Sequence, residues 1–520
     1  MELFFCNETD RLCAVIGKGE KMIYNFNLGI GWASSGVEYA QSYRARLFRM
    51  NHQKARFIFT DMFPRENIEH MTKNIGFLDE EVIWLYTFFT DQMIEPVSFR
   101  KQDLEETFAD PSFTFQREGK IAHYNFSGHN NFYRVYFTDE VHDLVHRVEY
   151  VSRGFLIRKD YFTSRLIYSE YYAPKDGKAR LYLRRFFQKD GSIAYEEILD
   201  GEDETNAIFQ FSDQICYGKQ EFVAYFVRKL SLTAGDTVII DRTTGIGEAI
   251  LENAGPARVG IVIHADHYSK NATNADYILW NNYYEYDFAM YRHIDFYITA
   301  TEVQNRTLRE QFLHYVGQEP NVWTIPVGAL PELKKPRLPR RKHAIITASR
   351  LAREKHIDWA IQAVVRAREK IPDLTFDIYG VGGEEKALKD LIESCKASSY
   401  IRLMGQADLK EVYQEFDLYL SASMSEGFGL SVMEAIGSGL PVIGFNVPYG
   451  NPTFVKEGEN GYLIDPEALL TSPMKIKALA ERLVLFFRED KWEQMSEMSY
   501  QKAENFLEEE VRKQWLALLQ

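Results

Sequence analysis

Between residues 110 and 212 the chain changes its period, and this change constrains the fold more than any other feature. Segments such as IAHYNF, NFYRVYFT, LVHRVEYV, RLIYSEYY and RLYLRRFF alternate aromatic or branched residues with polar ones. That is the two-residue period of a strand with one wet face. Asp176-Gly177 and Asp190-Gly191 fall between such runs, where an antiparallel sheet needs its hairpin turns. In RLYLRRFF the alternation predicts Leu181 and Leu183 toward a core, with Tyr182 and Arg184 outward. On both sides of this region the pattern is different. MIYNFNLGIGWASSGVEYAQSYRARLF (22–48) runs from an apolar strand through glycines into a helical period, with Ser34 or Ser35 as its cap. DTVIIDRTTGIGEAI, RVGIVIHADHY and NVWTIPVGAL, then HAIITASRLAREKHID, LTFDIYGVGGEE, FDLYLSASMSEGFGL and PVIGFNVPYG, place buried-type strands before turns or helices. The expected class is therefore α/β: two Rossmann-like domains facing a cleft, with an inserted antiparallel β-sheet domain.

The boundaries follow from the same shifts of pattern. We expect an N-terminal extension (1–21), read as two short strands around NETD, then the first part of an N-terminal Rossmann-like domain (22–109). The β-rich insertion (110–212), the second part of that domain (213–330) and a proline-rich basic linker (331–342) come next. A C-terminal Rossmann-like domain (343–500) and a C-terminal helix (501–520) complete the chain.

The length of 520 residues suits several domains, and 45% hydrophobic content suits a globular chain. Net charge is 61 − 75 = −14, which disfavours general nucleic-acid binding. Four scattered cysteines, with no CxxC pair, point away from zinc and disulfide frameworks and toward a reducing compartment. No apolar run is long enough to span a bilayer, and the first residues lack the pattern of a signal peptide, so a cytoplasmic location is expected.

The chemistry concentrates in SEGFGLSVMEAIGSGLP (425–441). Glu426 lies in a loop after a strand, and Glu434 lies about one turn into the next helix. A carboxylate can accept hydrogen bonds from two vicinal hydroxyls, which suits sugars. Between the glutamates, Gly427, Phe428, Gly429 and Leu430 present amides at a helix N-terminus, where phosphate oxygens bind. In TASRLAREKHID (347–358), Arg350 and Lys355 supply two cations that can neutralise a diphosphate without a metal. Gly29-Ile30-Gly31 offers a second phosphate-sized turn. HADH (264–267) invites a metal reading, but side chains in an extended run alternate sides, so a hydrogen-bonding His264 is expected and no metal. Asp241 with Arg242 is expected as a buried pair, and DGEDE (200–204) as a solvated turn.

Glu426 and Glu434 with GFGL between them and SRLAREK upstream resemble the signature of retaining GT-B glycosyltransferases of the glycogen-synthase-like class. IYNFNLGIGWASSGVEYAQSYRA, FIFTDM, HYSKNATNADYILWNNYYEYDF and SASMSEGFGLSVMEAIGSGLPVIGFNVPYGN are similar, more narrowly, to the GtfA family, from about Met22 to the C-terminus. These are catalytic subunits of the bacterial accessory-Sec transferase that begins O-glycosylation of serine-rich repeat adhesins. The resemblance implies that Glu434 holds the ribose and Glu426 the donor sugar. It implies that Arg350 and Lys355 bind the diphosphate, and that the amides of Phe428, Gly429 and Leu430 contact phosphate or sugar. It further implies that Gly29, Ile30 and Gly31 close over the β-phosphate, that His264 sits by the reacting carbon, and that Gly380 and Gly382 shape the base pocket. The implied reaction is front-face transfer with retention, from UDP-GlcNAc to Ser/Thr of the adhesin, with no cofactor.

UDP-glucose as donor, a lipid or polysaccharide as acceptor, and a non-catalytic module of the same fold are the alternatives. The family's partner is a homologous non-catalytic subunit, GtfB, and peripheral contact with the inner face of the cell membrane is a further implication. The long aromatic insertion presents edges that need covering. We expect it to dock that partner, with Tyr182 and Phe186 in the contact, the alternative being a lid on its own first domain.

Overall fold

The computed structural model describes residues 21–31, 36–110, 112–126, 130–200, 206–336, 338–489 and 491–520. The strands expected around NETD and the Ser34/Ser35 cap lie outside the described residues, as do residues 201–204 of DGEDE; Asp200 is exposed. Packing divides the chain into two compact units. The first holds residues 1–262 and 282–295, the second residues 263–281 and 296–520. The division expected at the 331–342 linker is thus not where contacts separate, because 263–281 and 296–330 pack with the C-terminal half.

In the first unit, β1 (Ile23–Asn27), β2 (Ala55–Phe59), β3 (Val82–Trp84), β14 (Thr237–Ile240) and β15 (Arg258–Ile263) are mutually parallel, in the order β15-β14-β1-β2-β3. β1 is buried along its whole length, as a strand covered on both faces must be. Sequential strands turn opposite ways on either side of β1, so the chain leaving β1 enters a crevice at the carboxyl edge, where such sheets bind ligands.

Between β3 and β14 runs a ten-stranded antiparallel meander. Its strands are β4 (Phe113–Glu118), β5 (Ile121–Phe126), β6 (Phe132–Phe137), β7 (Val145–Ser152), β8 (Phe155–Phe162), β9 (Leu166–Lys175), β10 (Lys178–Phe187), β11 (Ile193–Ile198), β12 (Ile208–Gln210) and β13 (Ile215–Tyr217). Asp176 and Gly177 both take positive φ, 52° and 73°, as a two-residue hairpin turn demands. A row of rings crosses one face: Tyr161 stacks on Tyr168, Tyr168 on Phe186 and Phe186 on Tyr195, at 4.2, 5.4 and 4.5 Å between centroids.

Two expectations fail in this sheet. A register shift between Leu181 and Leu183 interrupts the alternation of β10. Arg184 is consequently buried between Glu170 (3.1 Å) and Glu197 (3.0 Å) rather than turned outward. Phe186 is 0% exposed and belongs to the core, whereas Tyr182 is 43% exposed. Only Tyr182 of the two proposed contact residues is therefore at the surface.

The second unit contains β16 (Phe296–Thr299) paired in parallel with β17 (Val322–Thr324), and a six-stranded parallel sheet. Its strands are β18 (Ala344–Ala348), β19 (Thr375–Tyr379), β20 (Ile401–Gly405), β21 (Leu418–Ser421), β22 (Val442–Phe445) and β23 (Gly461–Ile464), in the order β20-β19-β18-β21-β22-β23. Numbered within the sheet this is 3-2-1-4-5-6, the dinucleotide-fold order, whose switch point lies between β18 and β21. The chain ends in two helices, Trp492–Glu504 and Glu508–Leu519, rather than a single one from 501.

Candidate active site

The switch point predicts that the loops leaving β18 and β21 meet, and they do. After β18 a short 3-10 turn, Arg353–Lys355, ends at His356 in the left-handed region. The Met424 N–H donates to the Glu354 carbonyl at 3.1 Å, tying the β21 loop to that turn. Lys355 Nζ thereby reaches Glu426 Oε2 at 2.6 Å. The sugar-type carboxylate and one of the diphosphate-type cations are thus ion-paired. Arg350 differs: its side chain is 72% exposed and its partner is Glu354, at 2.8 Å.

Gly429 takes φ +95° and caps the helix Leu430–Gly437. That conformation strains any residue with a Cβ. It turns the chain so that Phe428 packs against Phe454 (5.0 Å between centroids) beneath the loop. Glu434 sits inside this helix and accepts a hydrogen bond from the Tyr413 hydroxyl at 3.1 Å. Burial pushes its carboxyl above the ordinary value, and the Tyr413 bond partly offsets this. Nothing in the sequence flags Tyr413: it comes from the 3-10 turn Tyr413–Glu415 before β21, and only the fold brings it to Glu434.

Gly380 and Gly382 form a tight seam with the loop after β18. The Ser349 N–H donates to Tyr379 (3.1 Å) and the Leu351 N–H to Val381 (3.0 Å). A Cβ on Gly380 would overlap the Ser349 carbonyl, and one on Gly382 the Leu351 carbonyl. Both glycines therefore serve close backbone approach, beside Arg350. His264 lies just past β15, and its carbonyl abuts the Glu426 loop: a Cβ on Gly427 would be 2.8 Å from that oxygen. The HADH residues serve different neighbours. His267 is fully buried and its Nε2 lies 2.8 Å from Gln311 Oε1. Among the described residues no group of three or more His, Cys, Asp or Glu is placed to hold a metal ion.

The second unit thus brings together His264, Arg350, Lys355, Gly380, Gly382, Glu426, Phe428, Gly429, Leu430 and Glu434 at the carboxyl edge of one sheet or directly against it. Gly29, Ile30 and Gly31 belong to the first unit, at the carboxyl end of β1. There the Asn27 carboxamide holds the turn, accepting from the Leu28 N–H at 2.9 Å. A Cβ on Gly29 would be 3.0 Å from Asp61 Oδ2, and Asp61 is paired with Lys219. Behind the turn, Asp241 is ion-paired with Arg44, at 2.7 Å, where both are buried, whereas its neighbour Arg242 is only half-buried, so the two do not form the buried pair expected. Arg242 points to Glu38 at 3.4 Å.

Two Rossmann-type sheets, and two carboxylates and two cations gathered at the switch point of the second, define a GT-B glycosyltransferase. The family model for group 1 glycosyl transferases matches residues 331–502, and that of the GtfA extended beta-sheet domain matches residues 114–213. The chain is 50% identical over 497 residues to the UDP-N-acetylglucosamine--peptide N-acetylglucosaminyltransferase GtfA subunit of Streptococcus gordonii, covering 96% of this chain and 98% of that one. Its structure is similar to the crystal structure of the pneumococcal O-GlcNAc transferase GtfA in complex with UDP and GlcNAc (TM-score 0.91, 48% identity, 96% and 98% covered). It is equally similar to a chain of the crystal structure of the GtfA/B complex (TM-score 0.92, 49% identity, 96% and 99% covered). The chain belongs to the GtfA family.

Proposed function

We propose that this chain is the catalytic subunit of a GtfA/B-type transferase, moving N-acetylglucosamine from UDP-GlcNAc to Ser/Thr of a serine-rich repeat adhesin, with retention at the anomeric carbon. The observation that carries the site assignment is the Lys355–Glu426 pair at the β18/β21 switch point, with Glu434 one helix turn beyond. Glu434 accepts the ribose hydroxyls through the oxygen that Tyr413 does not occupy. Glu426 accepts donor-sugar hydroxyls, and its pairing with Lys355 fixes the ammonium where the diphosphate charge develops. Arg350, exposed and held in a surface pair with Glu354, swings onto the diphosphate when the donor arrives. These cations and the amides at Phe428, Gly429 and Leu430 stabilise the leaving group electrostatically, so that no metal is required. Front-face attack then lets a leaving phosphate oxygen take the acceptor proton while His264 bonds the sugar.

GtfB is the partner, as the likeness to the GtfA/B complex supports, and the inserted sheet is the surface we assign to it. No helix among the described residues is long and apolar enough to cross a membrane, and we place the enzyme in the cytoplasm, with peripheral contact at the inner face of the membrane. The test is UDP release from a panel of UDP-sugars, with product mass on a serine-rich acceptor peptide and on a polyol-phosphate polymer. UDP-GlcNAc with the peptide is expected to dominate, unchanged by EDTA. Preference for UDP-glucose or the polymer, or loss in EDTA restored by a divalent ion, overturns the corresponding part.

A further inference from the structure

The loop after β22 is built against both candidate catalytic segments of the second unit. The backbone N–H groups of Tyr449 and Gly450 both donate to the Glu426 carbonyl, each at 2.8 Å. A Cβ on Gly450 would lie 2.6 Å from Glu426 Cγ, so this backbone is pressed against the glutamate side chain itself. The Tyr449 ring is buried and lies nearly parallel to the His267 imidazole, 20° between planes and 6.1 Å between centroids. Its hydroxyl is 3.5 Å from His267 Nδ1, long for a hydrogen bond, so ring packing carries most of the contact. His267 is fixed in turn by Gln311 at 2.8 Å, and the Ala265 carbonyl beside it accepts from Gln304 Nε2 at 2.8 Å. Burial pushes the His267 imidazole down to about 4, so it is neutral near pH 7 and can accept from the phenol while donating to Gln311. His264 starts the same HADH run and its carbonyl meets Gly427, next to Glu426.

We propose that Tyr449 and His267 are positioning residues that hold the segment carrying His264 and the loop carrying Glu426 at one fixed spacing. This rests on the reading of His264 and Glu426 as donor-site groups. Two rigid aromatic rings, one on each segment, resist sliding where two flexible side chains would not. Misplacement of a reacting group by about 1 Å is enough to cost about a hundredfold in rate, so the packing is expected to act on turnover and to leave nucleotide affinity alone.

The test uses the full chain with its GtfB partner. It measures UDP release from UDP-GlcNAc, the calorimetric affinity for UDP and the thermal midpoint. Tyr449→Leu, which removes the ring, is expected to lower kcat at least tenfold with UDP affinity within twofold of wild type. Tyr449→Phe, which keeps the ring, is expected to retain at least half of kcat. Gln311→Leu, at a half-buried helix position, releases His267 without touching Tyr449, and is expected to lower kcat about threefold. In a Glu426→Gln background each of these losses should shrink below twofold, because the group being positioned is already gone. Wild-type kcat in both Tyr449→Leu and Gln311→Leu overturns the inference, as do fold-losses equal in the two backgrounds. If Glu426→Gln and His264→Ala themselves turn over at the wild-type rate, the donor-site reading is what fails.

Discussion

The inserted sheet and the second Rossmann-type sheet both hold carboxylates against cations, and they use them differently. In the insertion, Glu170 takes Arg184 (3.1 Å) and the hydroxyls of Tyr161 (2.9 Å) and Tyr172 (2.6 Å), while Glu197 takes Arg184 at 3.0 Å. Every one of these carboxylates and the guanidinium is buried. At the β18/β21 switch point, Glu426 and Glu434 each accept, among the described residues, one side-chain hydrogen bond, from Lys355 and Tyr413, through one oxygen. A buried carboxylate such as Glu170, whose two oxygens are both bonded within the protein, serves architecture. Under the proposed function, the second oxygen of Glu426 and of Glu434, at a sheet's carboxyl edge, is the one a donor meets.

The comparison breaks most visibly at Arg184. Arg184→Leu strands two buried carboxylates and should cost ~3–5 kcal/mol of stability. Denaturant unfolding reads this directly, and a midpoint equal to wild type would show that the insertion's charges are as dispensable as surface ones. Arg350→Ala should do the reverse. Its pair with Glu354 is exposed, worth under ~1 kcal/mol to the fold. Its loss from the diphosphate should remove about 3 kcal/mol of transition-state stabilisation. A drop in kcat/KM of more than about a hundredfold, with an unchanged unfolding midpoint, is the expected signature.

The two glutamates sharpen the comparison further. Glu434→Gln should weaken UDP about tenfold, and Glu426→Gln should leave UDP nearly untouched while slowing sugar-dependent steps; calorimetry with bare UDP separates them. Equal losses would cancel the division of labour. A pH dependence accompanies this. The folded-state pKa of Glu434 is raised by burial, above its ordinary value of 4.5. The ionised form that ligands need is therefore lost at a higher pH than for an exposed glutamate. Wild-type affinity for UDP should fall, relative to Glu434→Gln, as pH is lowered from about 7 toward 4.5. A constant ratio across that range would contradict it. The smallest effect is expected at Tyr182. Tyr182→Glu, at an exposed position on the sheet, should weaken co-elution with GtfB about fivefold by loss of one interfacial aromatic, while UDP release persists. Wild-type affinity would move the docking surface elsewhere on the chain.

Much of this architecture is legible in the chain because it is local. Strand-glycine-helix runs mark the two Rossmann-type sheets, Asp176-Gly177 marks a hairpin, and the eight-residue spacing of Glu426 and Glu434 places one in a loop and one in the next helix. Where local pattern misleads, a non-local event intervenes. The register shift between Leu181 and Leu183 turns Arg184 inward, and no two-residue period announces it. Asp241 is buried against Arg44, far away in sequence, while its neighbour Arg242 is only half-buried.

The sequence by itself determined which residue types are present and which elements carry them: carboxylates and glycines after β21, cations after β18, glycines after β1 and β19. Periodicity and turn chemistry act over a few residues, and that suffices for such assignments. Only the tertiary structure decided who meets whom. Strand order 3-2-1-4-5-6 makes β18 and β21 neighbours although the chain makes two strands between them, and so brings Lys355 to Glu426 across 71 positions. Tyr413 at Glu434 and Tyr449 at His267 follow from the same cause: side-chain partnership depends on the packing of distant segments, and that packing leaves no short-range mark in the chain.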